Sequence, residues 1–129
     1  LQLPKDKVKR LIFCSGKLFY ELLDYREKNS IKDVELVRLE QLYPFPYKTI
    51  MKIIQSYPDL QSCKWVQEER KNMGAWSYVE PRFRQLIEDS KLIPTYVGRD
   101  EGASPSSGFA HVHKEGQAQL IAEAFDNAE

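Results

Sequence analysis

At 129 residues the chain has room for one domain with a real core, and its 19 lysines and arginines are matched by 19 aspartates and glutamates. A formal charge of zero leaves no overall basic field to hold nucleic acid. No apolar run approaches the roughly 20 residues that span a bilayer.

The amino terminus lacks a signal peptide's charged-then-apolar order. Leu1-Gln2-Leu3-Pro4 has no initiator methionine, so the expectation is an intracellular domain cut from a longer polypeptide. The first apolar run, Val8 to Cys14, contains Leu11, Ile12 and Phe13 in succession, the pattern of a strand buried on both faces. It leads into Ser15-Gly16. Leu18, Phe19, Leu22 and Leu23 then recur at helical spacing, with Arg26 and Lys28 near the carboxyl end, where positive charge suits the helix dipole, and Asn29-Ser30 as the stop.

The second unit repeats the design. Val34, Leu36, Val37 and Leu39 read as a strand, and Tyr43-Pro44-Phe45-Pro46 as a turn bracketed by prolines. Pro46 suits the first position of a helix whose face is Tyr47, Ile50, Met51, Ile54 and Tyr57 and which Pro58 closes. In the third unit Lys64 to Gln67 is a short strand, and Trp76, Val79, Phe83, Leu86 and Ile87 form the next apolar stripe, which Pro81 suits only in its first turn. The fourth has Thr95-Tyr96-Val97 as strand, a Gly/Ser/Pro segment from Gly98 to Gly108, and a helix bearing Leu120, Ile121, Ala124 and Phe125. Four strand-helix units predict a single three-layer α/β domain, a mostly parallel open sheet with helices on both faces.

In such sheets ligands bind beyond the carboxyl ends of the strands. Four loops qualify, those containing Ser15-Gly16, Glu40-Gln41, Glu68-Glu69 through Gly74, and Arg99 through Ser107, and ordinary readings stand beside functional ones. Ser15-Gly16 lacks both the GxGxxG and the GxxxxGK[ST] patterns and reads as a cap with a tight turn. Glu68-Glu69 would be a general acid/base pair if burial separated their pKa values. Adjacent strand residues point to opposite faces, which favours an interface or packing role. Gly74-Ala75 suits close backbone approach, with Trp76 as an anchor. In the Gly98 to Gly108 loop, Arg99 with Ser104, Ser106 and Ser107, ahead of His111, His113 and Lys114, is either a site for a phosphate-bearing ligand or a solvated loop. His111 and His113 do not share a helical face and have no third ligand, and no nucleophile elbow surrounds the serines. Cys14 and Cys63 lack CxxC or Cys/His spacing and read as buried free thiols.

Three segments occur in order: Leu39-Glu40-Gln41-Leu42-Tyr43-Pro44-Phe45-Pro46; Gln67-Glu68-Glu69 with Asn72-Met73-Gly74-Ala75-Trp76; and Gly98-Arg99 with Ala103-Ser104-Pro105 and Gly108. Together they resemble the carboxyl-terminal domain of 2-oxoglutarate dehydrogenase, the thiamine-diphosphate-dependent decarboxylating component of its complex, over Val8 to Phe125. Arg70 departs from that pattern, since proline often follows the paired glutamates in the family. The resemblance implies a transketolase-like carboxyl-terminal domain at 8–129 behind a linker at 1–7. It implies a parent oxidoreductase of the tricarboxylic acid cycle that decarboxylates 2-oxoglutarate on thiamine diphosphate with magnesium and passes succinyl groups to a lipoyl arm. The cofactor's ligands would lie in preceding domains, so this domain alone binds no cofactor or metal, has no catalytic residue and is inactive. Implied partners are those preceding domains, a homodimer partner and the dihydrolipoyl succinyltransferase component. Effector binding, of a nucleotide or an acyl-CoA, would fall to Arg99, Ser104, Ser106 and Lys114. Interdomain or subunit contact would fall to Glu68, Glu69, Asn72, Gly74 and Trp76. A 2-oxoadipate dehydrogenase is the alternative parent, and the compartment would be a bacterial cytoplasm or a mitochondrial matrix.

Overall fold

Each apolar run becomes a strand of one parallel sheet: β1 (Arg10–Cys14), β2 (Val34–Arg38), β3 (Ser62–Arg70) and β4 (Thr95–Arg99), in the order β2-β1-β3-β4. Helices α1 (Leu18–Lys28), α2 (Tyr47–Gln55), α3 (Trp76–Leu86) and α4 (Ala110–Phe125) alternate with them. The computed structural model describes residues 2–99 and 110–126.

Strand alternation divides the core in two. Leu11, Phe13, Val37, Cys63 and Trp65 meet Ile50 and Ile54 of α2 and Val79 and Phe83 of α3 on one face. Ile12, Cys14, Val34, Leu36 and Val66 meet Leu18 and Leu22 of α1 and Leu120, Ile121, Ala124 and Phe125 of α4 on the other. Consecutive apolar residues in β1 are thus needed because both sides are covered. The chain first steps from β1 to β2, then reverses to β3 and β4. The covering helix changes face at that reversal, as a crossover of constant hand requires.

Two local expectations differ. β3 is not a short strand ending at Gln67 but continues through Arg70, where it pairs with Arg99 after a register irregularity beyond Val66. Glu68 and Glu69 therefore lie within the strand. Arg26, whose burial the sequence did not indicate, is 1% exposed. Pro81 lies past the first turn of α3; the carbonyl left without a helical donor, that of Ser77, belongs to an exposed residue. Arg26 and Lys28 lie in the last turn of α1 as expected, and cations also meet the carboxyl end of α4. Arg10 Nη1 donates to the carbonyls of Phe125 and Asp126 at 2.8 and 3.1 Å, and Lys64 Nζ to those of Glu123 and Asp126 at 3.1 and 2.6 Å.

Cys14 and Cys63 are free and buried, and desolvation pushes both thiols up to about 12. The folded pKa exceeds the ordinary 9.0, so the folded state holds these protons more tightly than the unfolded chain. Their contribution to stability is complete below pH 9 and is lost as pH rises from there toward 12. Both thiols should be inert to a disulfide reagent at pH 8 and become reactive in denaturant. Stoichiometric labelling of the native chain within minutes would contradict their burial.

Candidate functional site

The chain leaves β1 and β3 in opposite directions across the sheet, so a crevice is expected beyond their carboxyl ends. In this domain α4 fills it with an amide. Gln117 Nε2 donates to Glu68 Oε1 of β3 at 2.9 Å and to Glu21 Oε2 of α1 at 2.8 Å, while its Oε1 lies 3.4 Å from Arg99 Nη2 of β4. One side chain thereby ties the ends of two strands to the first turn of α1.

Beside it, Gln67 organises the turn after β3. Gln67 is only 4% exposed, and a polar group buried in an apolar strand must find partners. Oε1 accepts from Trp65 Nε1 at 2.9 Å and from the Trp76 backbone N–H at 3.0 Å. Nε2 donates to the carbonyls of Glu69, Arg70 and Met73 at 3.2, 2.9 and 2.9 Å. The turn is thus stitched from inside to the start of α3. Gly74 takes φ +66°, and a Cβ there would stand 3.1 Å from the Glu69 side chain. The Trp76 ring packs on Tyr96, with centroids 5.4 Å apart.

Glu68 and Glu69 diverge as strand geometry requires. Glu68 reaches Gln117 on the α1/α4 side, and Glu69 lies against Gly74 at the approach to α3. The two carboxylates do not face each other. Asn72 is exposed on the turn between them and α3.

Arg99 ends β4 and lies across α4. Its Nε donates to the Glu68 carbonyl at 3.0 Å, and a Cβ on Gly116 would come within 2.6 Å of Nη1. Gly116 is therefore the gap that lets the guanidinium rest on the helix. Gly98, Arg99, Gly116, Gln119, Leu120 and Glu123 line a cavity of about 220 Å³. An anion there would meet the Arg99 charge but also the Glu123 carboxylate, which accepts from Gln119 Nε2 at 3.2 Å, while Glu21 and Glu68 are engaged by the Gln117 amide.

The structure therefore joins two groups that the sequence reading kept apart, Glu68 of the contact set and Arg99 of the ligand set. Ser104 and Ser106 lie outside the described residues. Lys114 falls within α4, with its side chain also outside the description. Sequence reasoning assigned no role to Gln67, Gly116 or Gln117. Gln67 carried a signal, a polar residue after Trp65-Val66 in an inward run. Gln117 carried none, since its partners are 96 and 49 residues away.

A family model described as "2-oxoglutarate dehydrogenase C-terminal" matches residues 2–125. The chain is 44% identical over 119 residues to the "Probable 2-oxoadipate dehydrogenase complex component E1 homolog" of Dictyostelium discoideum, covering 92% of this chain and 13% of that relative. It is 44% identical over 122 residues to the "2-oxoglutarate dehydrogenase E1 component" of Shouchella clausii (92% and 13%), and 42% identical over 121 residues to that of Haemophilus influenzae (94% and 13%). The chain thus spans about one eighth of the length of these curated relatives.

Proposed function

Because this chain belongs to the 2-oxoglutarate dehydrogenase C-terminal family, we propose that it is the assembly and regulatory domain of an oxidoreductase that decarboxylates 2-oxoglutarate, with residues 1–7 as the linker from a preceding domain. The observation that carries this reading is the family match over residues 2–125. The parent enzyme would work as a homodimer with a dihydrolipoyl succinyltransferase component, in a bacterial cytoplasm or a mitochondrial matrix. No helix among the described residues is long and apolar enough to cross a membrane.

Thiamine diphosphate with magnesium would supply the carbanion-stabilising chemistry of the parent. The residues described here do not fit that group: none of their His, Cys, Asp and Glu side chains form a set of three that could hold a metal, and Glu68 and Glu69 diverge. The cofactor would therefore be held by preceding domains, with no catalytic step falling to this one. Glu69, Asn72, Gly74 and Trp76, on a turn braced from within by Gln67, supply a preformed contact surface. Glu68 serves mainly to hold α4 against β3. Arg99, together with Ser104, Ser106 and Lys114, is the reading's effector site for a nucleotide or an acyl-CoA.

The Dictyostelium relative's name favours a second reading, the same domain in a 2-oxoadipate dehydrogenase. Rates of CO₂ release by the full-length polypeptide, supplied with thiamine diphosphate and magnesium, separate the two. A kcat/KM at least about tenfold higher for 2-oxoglutarate, some 1.4 kcal/mol of transition-state preference, is expected. The reverse preference establishes the second reading, and no release from either acid removes both. Calorimetric titration with acetyl-CoA and AMP tests the effector site, using Gly116→Ala to push the Arg99 guanidinium aside. Alanine raises helix propensity by roughly 1 kcal/mol, so the thermal midpoint should not fall. Affinity should weaken about tenfold, the size of one lost charge-assisted bond. Unchanged affinity, or no heat from either ligand on the unaltered protein, overturns that assignment.

A further inference from the structure

Among the described residues, the most deeply buried charges lie away from the strand ends. Arg26 of α1 is 1% exposed and Glu35 of β2 is 7% exposed, with Nη1 and Oε2 2.5 Å apart. Apolar residues of similar volume would hold α1 to β2 at least as well, because desolvating two charges offsets most of their attraction. The pair's other bonds point to a more specific task.

Arg26 Nη1 also donates to the Val34 carbonyl at 3.3 Å, and its Nε to Glu27 Oε2 at 3.2 Å. Glu35 Oε2 accepts in addition from the Leu36 N–H at 3.2 Å. The second carboxylate oxygen, Oε1, accepts from the backbone N–H of Leu3 at 3.1 Å, a bond between residues 32 apart. Arg26 thus fixes a carboxylate whose remaining lone pairs grip the segment ahead of β1.

That segment crosses an open edge. β2 is the outer strand, and a groove of about 660 Å³ runs beside it, lined by Gln2, Lys5, Tyr20, Arg38 and Tyr57 among others. Farther along, Lys5 Nζ donates to Ser56 Oγ at 3.0 Å and stands 4.6 Å above the Tyr57 ring. Leu3 packs partly buried against the core, and the Lys7 N–H closes a turn on the Pro4 carbonyl at 3.0 Å before fully buried Val8.

We propose that Arg26 and Glu35 form a latch that seats residues 2–7 on the edge of β2, so that the segment enters the domain in one direction. The latch itself does not depend on the functional reading; only its consequence, a fixed approach of the preceding domain, rests on residues 1–7 being the linker. A charge-assisted bond to a backbone N–H gives direction as well as energy.

Hydrogen exchange in the full-length polypeptide tests this with two variants and a control. Arg26→Met with Glu35→Leu removes both charges together and should leave the thermal midpoint nearly unchanged while peptides covering residues 2–8 exchange about tenfold faster or more. Leu3→Pro deletes the gripped N–H together with the Leu3 side chain's packing and leaves the ion pair intact, so Leu3→Ala, which loses the packing and keeps the N–H, is its control and should leave exchange at Lys7 nearer the wild-type rate. Leu3→Pro should speed exchange at Lys7 while α1 and β2 keep their protection, and it decides the matter if the double variant fails to fold. Wild-type exchange at Lys7 in Leu3→Pro, or a loss of protection spread equally over α1 and β2, overturns the latch. Absence of any preceding domain would leave these exchange results standing and would remove only the consequence between domains.

Discussion

Replacing Gln67 with leucine should destabilise the domain by about 3–5 kcal/mol, near the upper end for a single substitution. The amide makes five hydrogen bonds from a site that water barely reaches. Leucine matches its bulk, so little of the loss comes from a void. The cost lies in what is left behind: the buried indole N–H of Trp65, the Trp76 N–H, and three carbonyls gathered around one donor. Each orphaned buried group costs roughly 1–3 kcal/mol, and the partly exposed carbonyls recover some of that from water. Gln67→Glu is the sharper variant, since it sets an acceptor oxygen against the carbonyls of Glu69, Arg70 and Met73. Urea unfolding followed by tryptophan fluorescence measures both. A loss below about 1 kcal/mol, the size of a single net hydrogen bond, would mean that the turn does not depend on Gln67.

Phe83→Ala should cost about as much, roughly 3–5 kcal/mol, for a different reason. The ring is fully buried, with its centroid 5.1 Å from Phe13, 5.4 Å from Phe45 and 6.3 Å from Trp65. It is where α3, the loop before α2 and the centre of the sheet meet. Truncation removes both transfer energy and the contacts of every ring around the void, and three large rigid neighbours collapse poorly. Phe83→Leu keeps much of the volume and should cost less than about 1.5 kcal/mol. The two sites are linked through Trp65, which touches Phe83 and donates to Gln67. A double-mutant cycle should therefore deviate from additivity by about 0.5 kcal/mol or more. Strict additivity would show that the core and the turn are independent.

Of the two residues only Gln67 falls in a segment that carries the family resemblance, and neither prediction rests on the paired glutamates beside it. Glu68 and Glu69 look like chemistry because they are adjacent. In the structure adjacency separates them, one toward Gln117 and one toward Gly74. Gln67 looks like filler and proves to be the residue that shapes the turn. Arg26 is a related case: it sits in the last turn of its helix as the sequence suggested, and burial against Glu35 gives it an anchoring contact that its position alone did not show.

What the sequence by itself determined is what local periodicity carries. Runs apolar on both faces marked the strands, helical stripes marked Ile50–Ile54 and Val79–Phe83 as core, Asn29-Ser30 and Pro46 marked helix ends, and the order of motifs marked the family. These signals act over a few residues, through backbone geometry and the side on which a side chain emerges. Only the tertiary structure decided how far β3 extends, which oxygen of Glu35 faces Leu3, and that Arg99, Glu68 and Glu21 converge on Gln117 across separations of 18, 49 and 96 residues. Such pairings are set by sheet order and helix placement. They arise from satisfying buried polar groups once the core has closed, and nothing in the spacing of residues along the chain encodes which group will be nearest.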